Sequence, residues 1–149
     1  MSKLSPFLRF NDSKCREAMN FYKDAIGGEL KFMIFGDTPA DTAEEMKKEM
    51  KGAPMPSEDA VMHSTLTKGD LLLIGSDMMR DKAKVGDNVT IMMECENQKE
   101  VDDVFAKLSK GGEIFMKPEK QFWGGYFGTL TDKYGVEWSL HFQMEPMKM

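Results

Sequence analysis

The sequence is short of the residues that most directly announce chemistry. Two histidines and two cysteines occur in 149 residues. Cys15 and Cys95 sit in no CxxC and no Cys/His ligand spacing, which excludes the common structural zinc frameworks. Both fall on apolar faces of predicted elements, where a free thiol behaves as a small hydrophobe, so neither a disulfide nor thiol catalysis is expected. No apolar run approaches the roughly 20 residues that span a bilayer. The opening stretch MSKLSPFLRF also lacks the apolar region of a signal peptide. The expectation is a cytoplasmic protein with no membrane partner. Basic excess is missing too: 20 Lys and Arg face 25 Asp and Glu, for a formal net charge of −5. With no local basic patch, nucleic acid is not an expected partner. No glycine-rich strand-to-helix turn occurs, and both Gly-Gly pairs lead into strands, so nothing supports S-adenosylmethionine binding.

What is present is a core and a repeat. Hydrophobic residues make up 41% of the chain, enough for one domain of ordinary size. Fifteen methionines fit either a soft core or an adaptable pocket wall. FYKDAIGGEL (21–30) and FAKLSKGGEI (105–114) match at Phe, Lys, both glycines and Glu. Thr-Leu-Thr then recurs at 65–67 and 129–131, each time ahead of a turn and another apolar strand.

Each half reads the same way. Ser5 to Phe10 is extended. Asp12 or Ser13 serves as the N-cap of a helix whose apolar stripe is Cys15, Ala18, Met19, Tyr22, Ala25 and Ile26, stopped at Gly27. Glu29–Phe35 is a strand, and Val61–Thr67 with Leu71–Gly75 forms a hairpin around Lys68-Gly69-Asp70. In the second half Asn88–Glu96 is a strand, and Asn97 and Glu100 form a capping box. Val101, Val104, Phe105 and Leu108 are the buried stripe of the helix that follows. Glu113–Met116 is the next strand, and QFWGGYFGTLTDKYGVEWSLHF (121–142) closes the unit as a hairpin around Asp132–Gly135. Alternation on its second arm points Val136, Trp138, Leu140 and Phe142 one way, and Glu137, Ser139 and His141 the other. The pattern is βαβββ twice, an α+β layout with one helix covering each sheet. The reading is a single domain of two repeated modules, 4–76 and 88–142, joined by a polar linker at 77–87. A helix is inserted at 39–52, with Thr42 and Glu45 as its capping box and Met46 and Met50 on one face. GAPMPSEDA (52–60) reads as a mobile loop.

A duplicated βαβββ unit with LRFND before the first helix and FGTLTDKYGVEWSL at the end resembles the vicinal oxygen chelate superfamily. That group holds glyoxalase I, bleomycin-resistance proteins and extradiol dioxygenases. The FWGGYFGTLTDKYGVEWSLHF tail and the inserted helix look most like its PhnB-like branch, often labelled demethylubiquinone-methyltransferase-like. The resemblance implies sheets curled into the halves of a cup around a ligand cavity, and a symmetric homodimer. The family's metal positions, carried over by motif, fall at Ser5, His63, Thr90 and Ser139, and only His63 is a usual donor there. A first-row divalent ion wants at least three N, O⁻ or S⁻ ligands, so this departure from the family's ligand set argues against its usual metal centre, and no cofactor is expected there.

Alternation places Phe7, Arg9, Thr65, Thr67, Met92, Glu94, Glu137 and His141 on the same strand sides as those positions. Such a wall of apolar side chains with a few oriented polar groups suits a small ligand. Arg9 favours an anion through its planar fork, or pairs with Glu94 or Glu137 as a structural link. His63 is either a hydrogen-bonded wall residue on a buried strand or a general base. A divalent metal relocated to His63, Glu137 and His141 is the alternative site. Trp123, Tyr126 and Phe127 around Gly124-Gly125 either close over a planar ligand or pack in a core or dimer interface. Three function classes follow. The first is a metal-free small-molecule binding protein. The second is a glyoxalase-like lyase, isomerase or dioxygenase using the relocated metal or His63. The third is a structural protein whose cavity is filled.

Overall fold

The computed structural model describes residues 2–49, 56–78 and 82–146. The chain forms two compact units, one of Met1–Lys23 and Gly27–Lys84, the other of Asp24–Ile26 and Val85–Met149. The first contains β1 (Phe7–Phe10), α1 (Cys15–Ile26), β2 (Glu29–Ile34), a short 3-10 turn (Phe35–Asp37), α2 (Ala40–Glu49), β3 (Val61–Lys68) and β4 (Leu71–Asp77). Its strands lie in the order β1-β4-β3-β2, with β1 parallel to β4 and the other pairs antiparallel. The second contains β5 (Ile91–Glu94), α3 (Gln98–Leu108), β6 (Glu113–Lys120), β7 (Gly125–Thr131) and β8 (Glu137–Gln143). Its order, β5-β8-β7-β6 with β5 parallel to β8, is the same topology again.

The repeated Gly-Gly and Thr-Leu-Thr motifs are two ends of one contact. A Cβ on Gly28 would stand 2.3 Å from the carbonyl oxygen of Thr67, and one on Gly112 would stand 2.1 Å from that of Thr131. The second glycine of each pair lets the chain pass directly against the last threonine of its own hairpin. No side chain fits there, which is why the two motifs recur together.

Each sheet buries one face under its helix. In the first unit Cys15, Ala18, Met19 and Tyr22 of α1 are buried, with Leu66 and Leu73 among the buried strand residues; Ala25 and Ile26 at the end of α1 are buried as well. Met19 lies over Gly75, where a Cβ would meet its sulfur at 2.7 Å. In the second, Val101, Val104, Phe105 and Leu108 of α3 are buried together with Leu130, Trp138 and Leu140. Burying side chains of this size contributes roughly 1.5–3 kcal/mol each, which sets the alternation on every central strand.

The caps differ from the sequence expectation. Asp12 and Ser13 adopt φ of 58° and 57° and Lys14 is the N-cap position, with no local side-chain bond. The first helical N–H, that of Cys15, donates instead to Oδ1 of Asp77 at 2.9 Å, while Oδ2 of Asp77 accepts from Val61 N at 2.9 Å. One buried carboxylate at the end of β4 therefore ties together the start of α1 and the start of β3. On α3, Asn97 accepts from Glu100 N at 2.8 Å, but the Glu100 carboxylate takes the N–H of Glu96, one residue outside a true capping box. Thr42 lies inside α2 rather than at its cap, its N–H donating to Asp41 Oδ1. Helix α2 buries no residue, so it is a solvated surface helix; Met50 and residues 51–55 lie outside the described residues.

The boundaries also move. β5 is shorter than the expected Asn88–Glu96, and β6 runs on to Lys120 where the sequence reading stopped at Met116. β4 continues through Asp77, which the reading gave to the linker. No described helix is long and apolar enough to cross a membrane.

Candidate functional site

The sheet faces turned away from the helices carry the candidate side chains. In the second unit the cross-strand register aligns Met92, Ser139 and Thr129 in one row, Glu94, His141 and Phe127 in the next, and Glu137 with Thr131. This face is more closed than a solvent-facing strand side. Ser139 and His141 are buried, as are Trp138 and Leu140 on the opposite side of β8.

Trp123 closes it. Its indole stacks on the His141 imidazole with centroids 5.2 Å apart and planes 29° apart, and Phe127 meets His141 edge-on at 6.4 Å. Gly124 (φ 95°) makes the bend that allows this. Gly125 leaves the space, since a Cβ there would lie 1.9 Å from the indole and 2.7 Å from His141 Nε2. Tyr126 points the other way, donating its hydroxyl to Asp102 of α3 at 2.6 Å. That contact raises its pKa.

His141 is fully engaged. Nδ1 lies 2.6 Å from the Glu94 carboxylate and Nε2 3.1 Å from Oε1 of Gln143. The Gln143 amide is oriented by its nitrogen, which donates to the carbonyls of Trp123 and Glu145. Its oxygen therefore faces the imidazole, and Nε2 carries a hydrogen. The Nδ1 contact to the Glu94 carboxylate is a short, well-placed hydrogen bond. Neither ring lone pair is open to a metal or a substrate. Glu137 is bonded to the Thr131 hydroxyl, and at two same-face steps its Cα stands roughly 13 Å along the strand from that of His141.

Thr90 and Ser139, which the sequence resemblance aligns with metal positions, carry hydroxyls that bond to each other: Thr90 Oγ1 and Ser139 Oγ are 3.0 Å apart. Neighbouring Thr129 Oγ1 is buried with no hydrogen-bond partner among the described residues. Beside these groups Met92, about half exposed at 51%, opens to the surface, as does Glu94.

In the first unit the equivalent face is open. One row reads Phe7, Ile74, Thr65 and Lys31; the next begins with Arg9 and Ser76 on β1 and β4 and ends with His63 and Met33 on β3 and β2. Phe7 is 48% exposed, Met33 56%, and Arg9 and His63 are also exposed, whereas Ser76 is buried. His63 is thus not the buried wall residue expected; its contact is a tilted ring pair with Phe7 at 6.4 Å. The Arg9 guanidinium stands 5.7 Å above the Phe7 ring. Ser5 precedes β1 and Thr67 is exposed near the end of β3. His63 belongs to one unit, Glu137 and His141 to the other.

Alternation located most of these residues but not Gln143 or Ser76. Gln143 is one same-face step past His141, so extending the pattern by two residues finds it. Ser76 needed the β1–β4 register. The thiols take no part: burial, aided by Asp77, pushes Cys15 up to about 12, and burial with Glu100 does the same to Cys95.

Residues 2–141 match the family described as 3-demethylubiquinone-9 3-methyltransferase. Protein YjdN of Escherichia coli (strain K12) is 28% identical over 139 residues, covering 93% of each chain. The crystal structure of protein PA1353 from Pseudomonas aeruginosa is similar with a TM-score of 0.79 at 28% identity, covering 97% of this chain and 100% of that one. A Bacillus cereus structure titled putative 3-demethylubiquinone-9 3-methyltransferase, PhnB protein, gives 0.68 at 29%, covering 95% and 99%. A Nocardioides structure titled glyoxalase/bleomycin resistance protein/dioxygenase shares the fold, with a TM-score of 0.58 at 14% identity over 99% and 88% of the two chains.

The groups that such names imply do not fit the residues present. The strand-to-helix connections at 11–14 and 95–97 contain no glycine, and the first N–H of α1 is taken by Asp77 rather than open to a cofactor. Of the four family metal positions one is an imidazole and three are hydroxyls, two of them bonded together. Among the described residues no group of three or more His, Cys, Asp or Glu side chains could hold an ion. With a matched segment spanning nearly the whole sequence and two units of one βαβββ topology, the chain belongs to the 3-demethylubiquinone-9 3-methyltransferase family, a PhnB-like branch of the glyoxalase/bleomycin resistance/dioxygenase fold.

Proposed function

We propose that this chain is a metal-free binding protein for small organic molecules, and that the sheet faces turned from α1 and α3 are its ligand walls. The observation that carries this reading is the Thr90–Ser139 hydroxyl pair at 3.0 Å, where the family's metal enzymes place ligands. A neutral hydroxyl pair cannot replace anionic or imidazole donors on a first-row ion. Around it the wall character is kept: Met92, Glu94, Phe127 and Trp123 in one unit, Phe7, Arg9, Thr65, His63 and Met33 in the other. Aromatic and methionine surface with few polar groups is what ligand sites offer.

A symmetric homodimer belongs to the same proposal, supported by exposed Phe115 (85%) and Phe122 (88%), which a lone soluble chain seldom displays together. The cytoplasm is proposed as its compartment, supported by two buried thiols that remain unpaired.

A thermal-shift screen of anionic, neutral and cationic metabolites, run with and without a chelator, tests the reading. Stabilisation by at least one compound, unchanged by the chelator, is expected. Stabilisation that vanishes with the chelator, or that requires added zinc, nickel, manganese or iron, would overturn the metal-free assignment. Turnover of a stabilising compound that is lost in His63→Ala would make the protein an enzyme instead.

A further inference from the structure

The first unit's open face carries a charge that its own structure does not neutralise. Among the described residues no carboxylate lies within ion-pair distance of Arg9; its contact is the face of Phe7, 5.7 Å from the ring centroid. Stacking uses the flat face of a guanidinium and leaves its in-plane N–H donors free, in the fork that matches a carboxylate. The one acidic side chain in the same face's register, Glu29 opposite Thr67, already pairs with Lys31 at 3.8 Å. Asp77 is turned to the other side, bonded to Cys15 and Val61.

The surroundings of Arg9 are flat and apolar. Phe7 and His63 lie 6.4 Å apart at 53°, forming a shallow angled platform. The buried Ser76 is the register partner of Arg9 on β4, its backbone about one strand spacing, roughly 4.8 Å, away. Met33 closes the row beyond His63 with an exposed thioether. On a chain of net charge −5, this is a local cation set among π surfaces.

We propose that the ligand is an organic anion with a flat unsaturated body, its carboxylate taken by Arg9 and its body laid against Phe7 and His63. This rests on the binding reading above and specifies its ligand class. Ser76, beside Arg9 in the register, offers its hydroxyl as a second donor to the carboxylate. The face discriminates by charge first and by flatness second, because the Arg9 fork is a cationic donor set among ring surfaces.

The test uses an isosteric pair, 2-naphthoate and 2-naphthamide, titrated calorimetrically into the full chain and into Arg9→Gln and Phe7→Ala. Arg9 is exposed, so Arg9→Gln keeps the fold; its melting temperature serves as the control. Naphthoate is expected to bind roughly ten- to a hundredfold more tightly than the amide, as a charge-assisted contact provides. Arg9→Gln brings the two ligands level, and Phe7→Ala weakens both without changing their ratio. Equal affinity in the parent protein, or a preference that survives Arg9→Gln, overturns the proposal and leaves small-molecule binding standing. Failure of both probes alongside neutral or cationic hits in the screen has the same meaning. An empty screen overturns both.

Discussion

Asp77 is the residue whose loss the structure prices most clearly. It is buried, and its two oxygens each accept one backbone N–H at 2.9 Å, from Cys15 at the start of α1 and from Val61 at the start of β3. Truncation to alanine leaves two donors without partners in a place water reaches poorly. An unsatisfied buried donor costs about 1–3 kcal/mol, and loss of a helix cap alone costs ~1 kcal/mol. These overlap at Cys15, so Asp77→Ala is expected to destabilise by roughly 2–4 kcal/mol. For a chain of 149 residues, about 2–4 °C accompany each kcal/mol, giving a fall in Tm of about 4–16 °C. Far-ultraviolet circular dichroism melts at neutral pH measure this directly. Asp77→Asn keeps one acceptor oxygen and turns an amide donor toward the other N–H, so it falls short of the parent as well. A melting temperature for Asp77→Ala within about 2 °C of the parent would refute the clamp, and with it the account of why α1 needs no local cap.

Other outcomes follow from the same geometry. Gly125→Ala places a Cβ where the Trp123 ring now lies, so Trp123 should leave His141. Its emission should shift red while buried Trp138 serves as an internal reference; unchanged emission would mean the stacked arrangement is not populated. Cys15 and Cys95, pushed up to about 12 by burial, should resist alkylation at mildly alkaline pH until the protein is unfolded. Their folded values exceed the ordinary thiol value of 9.0, so the unfolded chain ionises first. Stability from this source is whole below pH 9 and lost as pH rises toward about 12. Rapid labelling of both thiols in the native state would contradict the burial.

The repeat made the fold legible. Phe21 and Phe105 mark the two helices, and each glycine pair meets its Thr-Leu-Thr partner across a hairpin, so local signals and long-range contacts agree. What the sequence hid are contacts between residues far apart in the chain. Asp77 caps a helix that begins 62 residues earlier, and no window around Asp12 or Ser13 contains that information. β6 outran its apolar stretch because its edge position tolerates Pro118 and the lysines that end a central strand. Alternation put Glu137, Ser139 and His141 on one side correctly. It could not show that Trp123 folds back over His141, or that Thr90 and Ser139 bond to each other. His63 is exposed for the opposite reason: β3 is central in its sheet, yet the face that His63 occupies is turned away from α1.

Methionine supplies the most direct test of where ligands bind. Met33 and Met92 stand exposed on the two faces assigned as walls, while Met19 on the buried side of α1 and Met93 on β5 are buried. With carbon-13 in the methionine methyl groups, each gives its own NMR signal. A compound that stabilises the protein should move the Met33 or Met92 signal and leave Met19 and Met93 in place. Shifts confined to the buried pair, or to Met144, would contradict the assignment of the open sheet faces as the binding surface.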